Sequence, residues 1–229
     1  MDKLLRATEF DLTDLMDDTT LLFSDISGFT KFSSSREPEE VVAMLTEMFT
    51  EFDKMCVKLG VYKVYTIGDA YIVMGFTNAN DRNPEQEAHN VVKMGMAMID
   101  IIRTVREKLG YKELEMRIGI HTVPLSFFFL NIINLYFQGT VIGGIIGTDI
   151  VRYDLYGKDY LIGNKMESNG KEGMIQVSET TKKILEKAFP NLYRFEKHKD
   201  IEVPTLGEKI TGYLVYADET EHEFGDIDY

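Results

Sequence analysis

The chain has 229 residues, 44% of them hydrophobic and 28% charged, which is the composition of a globular chain with apolar content for one core of ordinary domain size. A formal net charge of −13 excludes a general binder of nucleic acid or of anionic membrane, because nothing would neutralise phosphates in bulk. Cys56 is the single cysteine, so no internal disulfide can form and a reducing, cytoplasmic setting is expected; neither a signal-peptide core nor an apolar run of transmembrane length is read in the sequence.

Residues 1–17 read as an acidic lead-in, 18–216 as one domain and 217–229 as a frayed acidic tail. Thr20 to Ile26 is a short apolar run, expected as a buried strand. Pro38 opens a helix with Glu39 and Glu40 in its first turn. Val41, Met44, Leu45, Met48, Phe49 and Phe52 recur at helical spacing, and Gly60 closes it. Val61 to Ile67 and Ala70 to Phe76, separated by Gly68-Asp69, predict a hairpin. A second long helix is predicted from Pro84 to about Leu109, with Val91, Met94, Met98, Ile101, Ile102 and Val105 on one face.

Strands follow at Glu115–His121, Val141–Ile146 and Tyr153–Tyr156, then a helix over 158–169 and a strand at Met174–Val177. Ser178 caps a helix running to Phe189, and Tyr193 to Tyr216 alternates as a terminal hairpin. Strand, helix, hairpin, helix, strand describes a ferredoxin-like split βαβ sandwich of the α+β class.

Two acids stand out. Asp25 ends the apolar run of Leu22-Phe-Ser-Asp-Ile-Ser-Gly-Phe-Thr30, and Asp69 sits in the turn Ile67-Gly-Asp-Ala-Tyr71. Carboxylates presented from adjacent strand ends can hold hard divalent cations, and a glycine-containing turn offers backbone N–H groups to a polyphosphate. Read singly, each aspartate is more often a local turn cap than a metal ligand.

The full strings decide between those readings. Leu21 to Thr30, Val61 to Tyr71, Arg117-Ile-Gly-Ile-His-Thr122 and Tyr153-Asp-Leu-Tyr-Gly157 continuing to Met166-Glu-Ser-Asn-Gly170 resemble the class III adenylyl/guanylyl cyclase catalytic domain, over roughly residues 15–216. The resemblance implies a head-to-tail dimer with nucleotide sites at the interface, ATP or GTP as substrate, and two Mg²⁺ or Mn²⁺ ions. It implies metal ligation by Asp25, Asp69 and the backbone carbonyl of Ile26. Gly28, Phe29 and Thr30 match the turn beneath the triphosphate, and the product would be a 3′,5′-cyclic nucleotide plus pyrophosphate.

Departures from the pattern carry information too. Tyr65 stands at a base-reading position where the family usually has Lys or Glu. Asp154 falls where adenylyl cyclases place Asp and guanylyl cyclases often Cys. The transition-state Asn position holds Leu161, and the transition-state Arg position holds Lys165, which keeps the charge without the bidentate fork. Asp159 and Asn164 are found in the metal-bearing halves of heterodimeric cyclases. The resemblance therefore implies a metal-donating half whose second cyclase domain supplies the missing groups, with a heterodimer favoured over a homodimer. The rival expectation is a cyclase-like domain kept for dimerisation or nucleotide sensing. For Tyr65 and Asp154, strand-end packing and a local cap stand beside base recognition.

His121, without a second histidine at metal spacing, reads as structural rather than as a general base. Gly143, Gly144 and Gly147 read as strand glycines rather than a phosphate loop, and Lys182-Lys183 as a solvated face. Val123 to Gln138 is an apolar segment that fits nothing around it; deleting it restores a His-Thr-Gly-x-Val turn. A translated intron is favoured over a genuine insertion. Asn134 to Gly139 also matches most of a viral protease recognition site, with Ile133 where that site has Glu.

Overall fold

The structure, a computed structural model, describes residues 13–15, 18–75, 82–124, 141–146 and 152–217. A short strand β1 (Thr13–Leu15) precedes β2 (Thr20–Ser27), the six-residue helix α1 (Phe29–Ser34), α2 (Pro38–Leu59), and the hairpin β3 (Tyr62–Ile67) and β4 (Ala70–Gly75). Then come α3 (Pro84–Leu109), β5 (Glu115–Thr122), β6 (Val141–Ile146), β7 (Arg152–Gly157), α4 (Lys158–Ser168), β8 (Met174–Ser178), α5 (Glu179–Ala188), β9 (Tyr193–Val203) and β10 (Glu208–Ala217).

The long helices form where the sequence marks their ends. Helix α2 starts with Pro38 after a reciprocal Glu37–Glu40 capping box and stops at Gly60 in the left-handed region; α3 starts with Pro84, its Asn83 side chain accepting from the Gln86 amide, and stops at Gly110. Ser178 caps α5 by accepting from the Thr181 amide.

Seven strands make one sheet in the order β3-β4-β2-β5-β8-β10-β9, antiparallel except for the β5–β8 pair. Strand β4 inserts between β3 and β2, so the β2–α2–β3 unit is split as expected from the element order. The expected strands, long helices and terminal hairpin all form. The structure adds α1 and β1; the latter lies inside the expected lead-in and pairs with β6 in a second sheet, β1-β6-β7. Among the described residues no helix is long and apolar enough to cross a membrane.

The two faces of the large sheet are covered differently. On one, Leu22, Val73, Met116, Ile118, Ile120 and Val177 pack with Met48 and Phe52 of α2 and with Met94, Met98 and Ile102 of α3, all at or near zero exposure. On the other, α4 crosses β5 and β2 above a smaller cluster of Leu21, Phe23, Ile72, Met74, Val123 and Leu155. Val123 thus belongs to the fold: it is fully buried and its amide donates to the Thr19 carbonyl at 2.9 Å. The remainder of the anomalous segment, residues 125–138, lies outside the described residues.

Candidate active site

Local geometry brings the two aspartates together. Ser24 of β2 lies opposite Tyr71 of β4, and its hydroxyl donates to the Tyr71 carbonyl at 2.8 Å. The next residue along β2 is Asp25. The two-residue turn that joins β3 to β4 carries Asp69 beyond Ala70, at the same end of the sheet, with Gly68 at φ 60° making the reversal. Asp69 lies close enough to Asp25 for the two charges to interact, near its own amide and that of Ile26. Its carboxyl is pushed up to about 6, first by burial and then by the negative charge of Asp25.

Gly28, immediately downstream, holds φ 81°, and a Cβ there would meet the Glu113 carbonyl oxygen at 2.7 Å. Glycine is required on both counts. The turn leads straight into α1, whose Phe29 and Thr30 amides are among the first-turn N–H groups that a helix leaves without an intrahelical acceptor.

A third carboxylate, not singled out in the sequence, completes the neighbourhood. Arg117 of β5 is the register partner of Asp25. Its Nη2 donates to Asp25 Oδ2 at 2.9 Å, and its Nε donates to Glu167 Oε1 of α4 at 2.7 Å. Burial works against the guanidinium's charge, but the bond to Glu167 and the surrounding carboxylates outweigh it and raise its pKa. Burial raises the Glu167 carboxyl, with Arg117 opposing. The sequence signal for this pair was a lone cation inside the apolar run Met116-Arg-Ile-Gly-Ile120.

Helix α4 sits unusually close to β5. A Cβ on Gly119 would fall 2.0 Å from the Glu167 backbone nitrogen, and one on Gly163 would fall 2.3 Å from the Phe23 ring. The helix is pinned at both ends: Glu167 to Arg117, and Asp159 Oδ1 to His121 Nε2 at 2.8 Å. His121 also contacts Ser178 Oγ through Nδ1 at 2.8 Å, and all three side chains are buried. His121 is therefore structural, as expected, and Asp159 is directed into the core rather than outward. The face of α4 pointing away carries Leu161, 41% exposed, with Asn164 exposed and Lys165 half-buried.

Tyr65 does not stand alone. Its hydroxyl meets that of Tyr160 of α4 at 2.9 Å, and its ring packs on the smaller apolar cluster, where Phe23 and Tyr160 make an edge-on contact. Asp154 lies on β7 opposite Gly144 of β6; its side chain lies outside the described residues. Lys182 pairs with Glu186 and lies over the Phe195 and Tyr213 rings, and Lys183 pairs with Glu179.

Two neighbouring carboxylates, with one guanidinium already divided between Asp25 and Glu167, leave the site electronegative. That donor set suits a hard cation which completes its shell with backbone, water and substrate phosphate oxygens. Among the described residues no group of three or more Asp, Glu, His or Cys side chains encloses a metal by itself.

An α+β sandwich with paired acids at a strand end and an adjoining hairpin turn defines a nucleotide-cyclase type of catalytic domain. The chain belongs to that family: the adenylate and guanylate cyclase catalytic domain matches residues 13–130 and 136–217. It is similar to a guanylate cyclase of Toxoplasma gondii, 40% identical over 205 residues, and to guanylate cyclase alpha of Plasmodium falciparum, 41% identical over 190 residues. These matches cover 88% and 82% of this chain but 4% of each relative, so the chain spans a small part of their length. Among solved structures it is similar to the guanylate cyclase domain of RhGC from Catenaria anguillulae in complex with GTP, with a TM-score of 0.69, 26% identity, and coverage of 91% of this chain and 98% of that one.

Proposed function

We propose that this chain is the metal-bearing half of a purine nucleotide cyclase, with the catalytic domain spanning 18–216. The reaction joins the ribose 3′-oxygen of ATP or GTP to the α-phosphorus, breaks the bond to the β-phosphate and releases pyrophosphate and the hydroxyl proton. The observation that carries this reading is the placing of Asp25, on β2, and Asp69, in the β3–β4 turn, at one end of the sheet, near enough for their charges to interact. Asp25, Asp69 and the Ile26 carbonyl would hold two Mg²⁺ or Mn²⁺ ions, which supply a lowered pKa for the 3′-hydroxyl and screening of the phosphates.

The rest falls to the chain's own groups. The turn at Gly28 offers the Phe29 and Thr30 amides to the polyphosphate. Arg117 steadies Asp25. Leu161 on the outer face of α4 has no hydrogen-bonding group, and Lys165 offers a point charge where a fork is wanted. A second cyclase domain, on the same native polypeptide or another, supplies those contacts. The guanylate cyclase relatives favour GTP, whereas Asp154 leans towards adenine, so both nucleotides belong in the test.

Turnover of GTP and ATP with Mn²⁺ should be low for this chain alone and rise on adding a cyclase domain that carries Asn and Arg at the equivalent α4 positions. Brisk turnover by the lone chain would sink the half-site reading, and activity indifferent to Asp69→Ala would sink the metal assignment. The exposed Leu161 also favours a second reading, a domain retained for dimerisation or nucleotide sensing. Nucleotide binding without turnover in the presence of any complementing domain would select it.

A further inference from the structure

Among the described residues, Arg117 is the side chain that joins Asp25 to the helix on which the partner-facing residues sit. It uses one edge of the guanidinium for two different carboxylates, Nη2 for Asp25 and Nε for Glu167. The arrangement is partly buried: the Arg117 and Glu167 side chains are 26% and 10% exposed. Glu167 in turn cannot drift, because its backbone nitrogen lies directly over Gly119 with no room for a Cβ between them. The chain of restraint therefore runs from the α4 backbone through Glu167 and Arg117 to Oδ2 of Asp25. It fixes one of the two oxygens of the Asp25 carboxylate.

We propose that Arg117 is a positioning residue for the divalent-cation site: it sets the orientation of the Asp25 carboxylate and ties it to α4 through Glu167. Outer hydrogen-bond partners of this kind fix the geometry of ligating carboxylates, and their loss typically weakens metal binding by ~10–100-fold. A guanidinium does this by shape. A lysine keeps the charge, but its single ammonium on a flexible stem cannot reproduce two directed bonds from one planar edge. A purely electrostatic neighbour would behave in the opposite way: lysine would substitute freely, and removing the cation would tighten the binding of another cation.

The proposal rests on reading Asp25 and Asp69 as cation ligands, and the experiment separates the two. Mn²⁺ binding is measured without nucleotide, by calorimetry or by loss of the free-ion paramagnetic resonance signal, for the wild-type chain, Arg117→Lys, Arg117→Met and Glu167→Leu, each with its unfolding midpoint. Expected is ~10–100-fold weaker Mn²⁺ binding for Arg117→Lys and Arg117→Met, and a smaller loss for Glu167→Leu, which leaves Arg117 in place without an acceptor for its Nε. Wild-type affinity in folded Arg117→Lys overturns the proposal, as does tighter binding by Arg117→Met. If the Arg117 variants do not fold, Glu167→Leu decides: unchanged affinity overturns the proposal and weakened affinity supports it. Absence of Mn²⁺ binding by the wild-type chain defeats the metal reading itself, and this inference with it.

Discussion

The two faces of the seven-stranded sheet are built on different physical principles. The face under α2, α3 and α5 is held by bulk burial of Met, Phe, Ile and Val, with methionines filling irregular spaces. The face under α4 has a smaller apolar cluster and relies on two glycines that admit the helix and on polar pairs that pin it. Non-directional burial gives stability and tolerates exchange of one apolar residue for another. Close approach and directed bonds give position and tolerate little. The candidate site lies on the second face, where atoms are placed rather than merely enclosed.

The sharpest way to break this contrast is Gly119→Val. A side chain that must overlap the α4 backbone leaves no room for adjustment, so soluble folded protein should be lost, as judged by expression and circular dichroism. Met98→Ala on the opposite face should cost about 2–5 kcal/mol in denaturant unfolding, while Mn²⁺ binding below the transition stays as in the wild type. A matching loss of Mn²⁺ affinity would blur the distinction between the faces. Asp69→Ala should reverse that pattern. Turnover with a complementing domain should fall by about 10²–10³-fold or more, while the unfolding midpoint holds or rises because a buried carboxyl facing Asp25 has been removed.

The smallest effect concerns acid. His89 of α3 accepts from or donates to the Tyr193 hydroxyl at 2.7 Å and stacks on Phe189; burial, and then Lys93, lowers its pKa to about 4. The unfolded chain therefore binds this proton at higher pH than the folded one, and stability from this group declines as pH falls from about 6.5 towards 4. His89→Gln should flatten that part of the melting-temperature profile. An unchanged slope would assign the acid sensitivity elsewhere.

Much of this could be read in the chain before the structure. Pro38 with Gly60 brackets the first long helix and Pro84 opens the second because caps and breakers act locally. Asp25 and Asp69 point to one place because a short hairpin turn leaves Asp69 few alternatives. Arg117 could not be placed, since its partners depend on strand register and on which helix covers which face, both of them nonlocal. Asp159 matched a position in metal-bearing cyclase halves, yet its side chain turns inward to His121; sequence position does not tell which way a residue in the first turn of a helix will face. In the sequence Tyr65 fits base recognition and packing alike, because its bond to Tyr160 depends on how α4 lies on the sheet. The short α1 and the β1 strand carried too few residues for a periodic signal.

The spacing of the two pins under α4 has a consequence for how the chain can vary. From Asp159 to Glu167 the helix rises about 12 Å, and from His121 back to Arg117 the strand runs about 13 Å. The two scales coincide over this interval like the marks of a vernier. One residue added to or removed from α4 between those marks would shift the far end by about 1.5 Å and turn it by about 100°, swinging Glu167 off Arg117. The same change in the turn after Asn169 would fall beyond the last mark and leave both pins engaged. Length is therefore a fixed quantity in α4 between its pins, and a free one just past its end.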